Sequence, residues 1–270
     1  MASKLAVLAG RGPLPAQVVA AALARGTEVF VLAFEGETDA ELVRGLPHRW
    51  VPLGAVGRAI EALRAAQVEE VVLIGAVRRP PLASLDRRGM QLLARLGLRR
   101  HGDDQLLRLI VEALEGEGFR VIGADALIAD VLAPEGPMTV LVPDADAMRD
   151  IALGVEVAER LGDLDIGQAA VVQQGLVLGV EAAEGTDALM ARCAGLHRAG
   201  RGGILVKIKK PGQERRADLP TIGPHTIRVA AETGIAGIAV QAGHCLIIER
   251  AAMIADADRA GLFVIGVAGR

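Results

Sequence analysis

This sequence predicts a two-domain α/β protein, with an N-terminal Rossmann-like parallel sheet and a C-terminal mixed α/β domain. Three observations carry that expectation. Its 270 residues exceed the ~100 to 200 that one hydrophobic core usually serves. Short apolar runs alternate with helical periodicity through the first half, the pattern of a parallel sheet covered on both faces. Leu132-Ala133-Pro134-Glu135-Gly136-Pro137 then gathers proline and glycine without periodicity, which sets domains of 1–133 and 138–270 with 134–137 as linker.

Taken in order, Leu5-Ala6-Val7-Leu8-Ala9 is a buried strand that feeds the turn Gly10-Arg11-Gly12 and a helix over 16–23. A second strand covers 29–33. A helix over 55–66 leads to a strand at 71–74, and a helix over 106–114 leads to one at 119–122. In the second half, a helix near 144–161 precedes strands at 169–172 and 176–180, split in hairpin fashion by Gln173-Gln174-Gly175. A strand at 204–208, a helix at 224–233, runs at 237–240 and 245–248, a helix at 251–260 and a strand at 262–265 complete the domain.

The composition is 51% apolar and 23% charged, with a net charge of −3, which gives no electrostatic pull toward nucleic acid. Cys193 and Cys245 are the two cysteines, and their spacing reads as neither a disulfide framework nor a zinc site. The first apolar run is too short for a signal peptide, and no stretch approaches ~18 uninterrupted apolar residues. A cytoplasmic location is therefore expected. Lysine occurs only at Lys4, Lys207, Lys209 and Lys210, so the cluster of three stands out.

Four stretches carry candidate chemistry. Gly10-Arg11-Gly12-Pro13-Leu14-Pro15 follows the first strand, where helix N-terminal amides can approach a phosphate. Pro15 stands where a dinucleotide fingerprint has its third glycine, so a nicotinamide site, a generic phosphate-facing turn and a plain turn all remain open. In Gly102-Asp103-Asp104 an aspartate could cap the following helix or the pair could hold a divalent ion. Glu181-Ala182-Ala183-Glu184-Gly185-Thr186-Asp187 is a strand-to-helix turn rich in oxygen ligands suited to magnesium, although Thr186 or Asp187 could simply cap a helix over 188–194. Lys207, Lys209 and Lys210 end a strand and could hold phosphate as point charges, or be a solvated loop. Asp218 follows them, placed where a cap for the next helix would also stand.

Together these stretches form an ordered set. Gly10-x-Gly12-x-Leu14-Pro15, Gly102-Asp103-Asp104, Asp165-Ile166-Gly167-Gln168, Glu181-Ala182-x-Glu184-Gly185-Thr186-Asp187, Lys210-Pro211-x-Gln213 and Asp218-Leu219-Pro220-Thr221-Ile222-Gly223 resemble the motifs of the UDP-2,3-diacylglucosamine pyrophosphatases of the LpxI type. The resemblance spans nearly the whole chain. It implies a magnesium-dependent hydrolase of lipid A biosynthesis that releases UMP and 2,3-diacylglucosamine 1-phosphate, with water attacking the sugar-side phosphorus. It also implies a lipid-linked UDP-sugar as substrate and peripheral contact with the cytoplasmic face of the inner membrane. A homodimer is compatible with the family and with the apolar composition. The family's essential aspartate matches Asp218.

On that resemblance, Asp218, Asp187 and Lys210 are the expected catalytic residues, and Asp218, Asp187 and Glu184 the expected magnesium ligands. Lys207, Asp104, Thr186, Gln213 and Thr221 are expected to contact substrate, with the turns at Gly10, Gly12 and Gly75 approaching the UMP portion. Arg11 and the Arg78-Arg79 pair fall in loops expected to vary. Two other readings are a nicotinamide-dependent oxidoreductase and a nucleotide-binding regulatory module.

Overall fold

The computed structural model describes residues 4–78, 81–96, 103–128 and 131–269, without the side chains of Leu96, Asp103 and Asp104. The expectations for Gly102, Arg79 and the Asp103 and Asp104 carboxylates lie outside the described residues. The chain divides into two compact units, Met1–Ala129 with Glu214–Asp218, and Asp130–Gln213 with Leu219–Arg270.

In the first unit the elements are β1 (Leu5–Ala9), α1 (Leu14–Ala24), β2 (Val29–Phe34), β3 (His48–Val51), α2 (Val56–Ala65), β4 (Glu70–Ile74), α3 (Arg87–Leu96), α4 (Asp103–Gly116) and β5 (Arg120–Val121). The five strands form one sheet in the order β3-β2-β1-β4-β5, all parallel. Every residue of β1 is buried, as the centre of a sheet covered on both faces requires. On α2, Ile60 and Leu63 are buried and join Leu8, Leu32, Val51 and Val111 in the core. β3 went unread in the sequence because His48 and Arg49 are exposed edge residues.

Strand order reverses between β1 and β4, and their following loops meet there. Arg11 N donates to Ala76 O at 2.8 Å, and Ala76 N donates to Arg11 O at 3.1 Å. A Cβ on Gly10 would stand 2.7 Å from Ala76 O, and one on Gly75, at φ +94°, 2.8 Å from Arg11 O. Only glycine lets the two backbones approach so closely. Pro15 belongs to the same packing, its Cγ lying 2.9 Å from the position of that Gly75 Cβ.

The second unit contains β6 (Gly136–Pro137), α5 (Ala145–Asp163), β7 (Ala169–Gln173), β8 (Leu176–Val180), α6 (Thr186–Cys193), β9 (Ile204–Lys207), β10 (Thr221–Ile222), α7 (Pro224–Glu232), β11 (Gly237–Gln241), β12 (Leu246–Ile247), α8 (Arg250–Ala260) and β13 (Phe263–Val267). Six strands form a mixed sheet in the order β6-β13-β11-β9-β7-β8, and β10 pairs with β12. β9, β11 and β13 are parallel, whereas β7 runs antiparallel to both β8 and β9.

Local chemistry fixes several of these elements. Asp144 caps α5 by accepting from Ala147 N at 2.7 Å, which satisfies one of the orphan donors at a helix start. Gly154 lets α5 lie on β9, since a Cβ there would meet Val206 Cγ2 at 2.4 Å. The hairpin turn is held by buried Asp150, which accepts from Gln174 N at 2.9 Å and Gly175 N at 2.7 Å.

Two expectations need correction. The 134–137 stretch, read as a linker, contains β6, which pairs antiparallel with β13; proline and glycine are tolerated on an edge strand. Residues 214–218, read as part of the C-terminal domain, cluster with the first unit. Ala217 packs against that unit's core, Arg215 pairs with Asp125 at 3.0 Å, and Arg216 bonds Glu115.

Candidate active site

β8 and β9 both run antiparallel to β7, so they point the same way and end at the same edge of the mixed sheet. Lys207 closes β9 opposite Ala169, while Glu181, just beyond β8, donates its N–H to Ala169 O at 2.8 Å. Two strand spacings place their backbones ~10 Å apart. Between and above them, Glu184, Gly185, Thr186, Asp187, Lys207, Thr221, His225 and Thr226 line a pocket of about 330 Å³. The structure thus brings together Glu184, Thr186, Asp187, Lys207 and Thr221, five of the residues expected from sequence.

The alternative that Thr186 or Asp187 is only a cap does not hold. α6 begins at Thr186 itself, its N-cap is Gly185 at φ +82°, and no side chain caps it. Thr186 Oγ1 instead donates to Glu181 Oε1 at 2.5 Å, and Glu181 Oε2 accepts from Gln168 N at 3.0 Å. Glu181 is only 6% exposed. Its two bonds commit the Thr186 proton inward and leave the hydroxyl an acceptor toward the pocket. Asp187 Oδ2 lies 2.9 Å from His225 Nε2.

Asp218 is not a helix cap either, because α7 is preceded by Gly223, whose N–H donates to Thr226 Oγ1 at 3.2 Å, and begins with Pro224. Its half-buried carboxylate stands in the segment that clusters with the first unit, with its backbone N–H donating to Glu214 O at 2.9 Å. It precedes Thr221 by three residues in the chain.

Charge in the pocket is arranged for an anion. Lys207 is 9% exposed, and its Nζ donates to Thr221 O at 3.2 Å. The first turns of α6 and α7 both open onto the pocket, and helix N-termini favour negative charge. Glu184 is tied to Arg192 at 3.0 Å. Its own backbone N–H first, and the Arg192 guanidinium second, hold its carboxyl below the usual range. Behind the pocket, burial pushes the Cys245 thiol up to about 12 in spite of the Lys207 charge.

Lys210 and Gln213, both expected in the site, and the neighbouring Lys209 stand outside the pocket lining. Lys210 Nζ is paired with Asp165 Oδ1 at 2.8 Å and is not among the pocket residues. Gln213 is 4% exposed and staples the turn, its Oε1 accepting from Lys210 N at 3.0 Å. Lys209 Nζ donates to the carbonyls of Lys210 and Gln213 at 3.2 and 3.4 Å. The expected magnesium trio is not assembled as a cage: among the described residues no group of three or more His, Cys, Asp and Glu could hold a metal ion. Arg192 occupies Glu184, and His225 faces Asp187.

Sequence reading missed His225 and Thr226. The available signal was their place immediately after Gly223-Pro224, in the first turn of a helix that the aspartate motif leads into. Among the described residues no helix is long and apolar enough to cross a membrane.

Comparison with known proteins agrees with the motif order. Residues 4–131 match the model of the LpxI N-terminal domain, and residues 134–265 match that of the LpxI C-terminal domain. The protein called UDP-2,3-diacylglucosamine pyrophosphatase LpxI from Caulobacter vibrioides is 43% identical over 273 residues, covering 98% of this chain and 97% of that protein. With both halves matched and a relative this similar along almost its whole length, the chain belongs to the LpxI family.

Proposed function

We propose that this protein is an enzyme that hydrolyses the pyrophosphate of UDP-2,3-diacylglucosamine to UMP and 2,3-diacylglucosamine 1-phosphate. The near-full-length similarity to the Caulobacter protein supports the substrate. The observation that carries the chemistry is one pocket lined by a buried lysine, two carboxylates and three threonine hydroxyls. Pyrophosphate hydrolysis needs the charge on nonbridging oxygens held while water attacks in line.

In this reading the Lys207 ammonium and the first-turn amides of α6 and α7 bind phosphate oxygens. Thr186, with its proton committed to Glu181, presents an acceptor. Asp187 would hold magnesium, which supplies charge neutralisation for the transferred phosphoryl group. The donor set fits that ion, because magnesium commonly takes one or two protein carboxylates plus substrate phosphate rather than a full protein cage. Asp218 is the essential aspartate of the reaction, as the family motif implies. Glu184 lines the same pocket with its charge offset by Arg192. The first unit, with its 3-2-1-4-5 strand order, is the Rossmann-like half, and sheets of that kind bind ligands where the strand order reverses.

The test is to incubate the purified chain with UDP-2,3-diacylglucosamine in ¹⁸O-water, with magnesium or with EDTA. UMP release that requires magnesium, with the label in the sugar phosphate, is the expected outcome. Absence of UMP release, or label in UMP, overturns the reading. Asp218→Ala should keep substrate binding while losing turnover by orders of magnitude. The proposal extends to peripheral contact with the cytoplasmic face of the inner membrane and to a homodimer, read out by vesicle sedimentation and analytical ultracentrifugation.

A further inference from the structure

The first unit contains an ionic cluster that the pocket chemistry does not use. Glu37 follows β2, and its side chain is 6% exposed. Its Oε2 accepts from Arg11 Nε at 2.9 Å and its Oε1 from Arg78 Nε at 2.8 Å. Arg78 N also donates to Oε2 at 3.3 Å, and Arg78 Nη2 to Gly36 O at 3.2 Å. Burial pushes the Glu37 carboxyl up, but the Arg78 hydrogen bonds and the Arg11 charge outweigh it and hold the group below the usual range.

One buried carboxylate calls for one compensating cation, and here it has two. The trio therefore carries a net positive charge. Both guanidiniums are gripped through Nε, and Arg78 through Nη2 as well, so they are held in orientation while the Arg11 and Arg78 side chains stay 46% and 67% exposed. A guanidinium fixed in this way presents a planar fork matched to phosphate oxygens.

Position adds an independent argument. Arg11 follows β1 and Arg78 follows β4, the neighbouring strands at which the sheet order reverses. Ligands of open parallel sheets bind outside the carboxyl ends of the strands at that reversal. Next to Arg11, Gly12 has φ +96°, and none of the described residues comes within 4 Å of the place where its Cβ would be.

We infer that Arg11 and Arg78, oriented by Glu37, form a binding pair for the phosphate of a nucleotide. Arg11 and Arg78 contact the ligand, and Glu37 is a positioning residue. The choice of a uridine nucleotide rests on the proposed function; the anion chemistry does not.

Calorimetric titration of the full chain with UMP, uridine and inorganic phosphate tests the inference. UMP should bind at least tenfold tighter than either uridine or inorganic phosphate. Arg11→Ala and Arg78→Ala should each weaken UMP about five- to tenfold and leave uridine unchanged. Arg11→Lys and Arg78→Lys keep a cation for Glu37 and so protect the fold, yet lack the fork, and should still lose UMP affinity threefold or more. Wild-type UMP affinity in both lysine variants overturns the pair, as does a parallel loss of uridine in the alanine variants. Inorganic phosphate binding as tightly as UMP overturns the nucleotide assignment. The same wild-type protein assayed for UMP release separates the two proposals. Turnover with no arginine effect on UMP binding removes the pair and leaves the enzyme reading; arginine-dependent UMP binding without turnover does the reverse.

Discussion

Lys207→Met removes one charge from the candidate active site while nearly preserving side-chain length. Lys207 as a residue is 9% exposed and its ammonium donates to Thr221 O at 3.2 Å, so the side chain is held in place. At ~4 Å from a phosphate oxygen and an effective dielectric of ~20, such a charge interacts by about 4 kcal/mol. Loss of one donor aimed at developing charge typically costs ~10²- to 10³-fold, and kcat/KM for UMP release should fall within that range. Stability should change little. The variant no longer buries an ammonium, methionine fills irregular space well, and the deserted Thr221 carbonyl costs about 1 kcal/mol. Initial rates at subsaturating substrate, beside a thermal melt, separate the two effects. A variant that melts like the wild type and retains kcat/KM within about fivefold, roughly 1 kcal/mol of barrier, would refute the assignment of Lys207 to phosphate.

Glu181→Gln should lower kcat about tenfold with KM nearly unchanged, because its amide cannot accept from both Thr186 and the Gln168 N–H; steady-state kinetics, with Thr186→Ser as the conservative companion, checks it. Gly10→Ala forces a Cβ to 2.7 Å from Ala76 O and should destabilise the protein by about 1 to 3 kcal/mol, visible as a lower melting midpoint. Cys245 is buried with its thiol pushed from 9.0 up to about 12, so native protein at pH 8 should react with a thiol reagent at Cys245 only as fast as it unfolds. Since that folded pKa is raised, the associated stability is complete below about pH 9 and is lost as the pH climbs toward 12; denaturant titrations across that window should show the decline, and Cys245→Ala should flatten it.

Much of the fold was written in local pattern. The uninterrupted apolar run of β1, the helix periods of α2 and α5, and the Gln173-Gln174-Gly175 turn each satisfy a short-range rule, and each forms where that rule places it. Elements that owe their existence to a distant partner were hidden. β6 is a Gly-Pro pair that becomes a strand only beside β13, and β3 is an edge whose polar residues resemble a loop. The same distinction runs through the site. Motif order identified Glu184, Thr186, Asp187 and Thr221, with Glu181 heading its motif, and the lysine cluster identified Lys207, but the role of Glu181 and the partners Arg192 and His225 follow from geometry across separate elements. Lys210 looked equivalent to Lys207 in sequence, and only the tertiary position of Asp165 distinguishes them.

Those partners also give the pocket a polarity that a list of its residues does not convey. Thr186 spends its proton on Glu181, so with the carboxylate of Asp187 it contributes acceptors, the chemistry of a cation's ligands. Lys207 contributes only donors, and the opening turns of α6 and α7 add backbone N–H groups with the same preference for anions. A divalent ion bound to a phosphate needs both kinds of surface at once. A purely phosphate-binding pocket would gain nothing from carboxylates, whose charge repels the ligand, and a plain cation site would gain nothing from a buried lysine. Reversing the Thr186 hydrogen bond, by replacing Glu181 with a residue that donates, would remove an acceptor from one side without touching Lys207. That is why Glu181→Gln should act on kcat, whereas Lys207→Met should reduce kcat/KM through the phosphate.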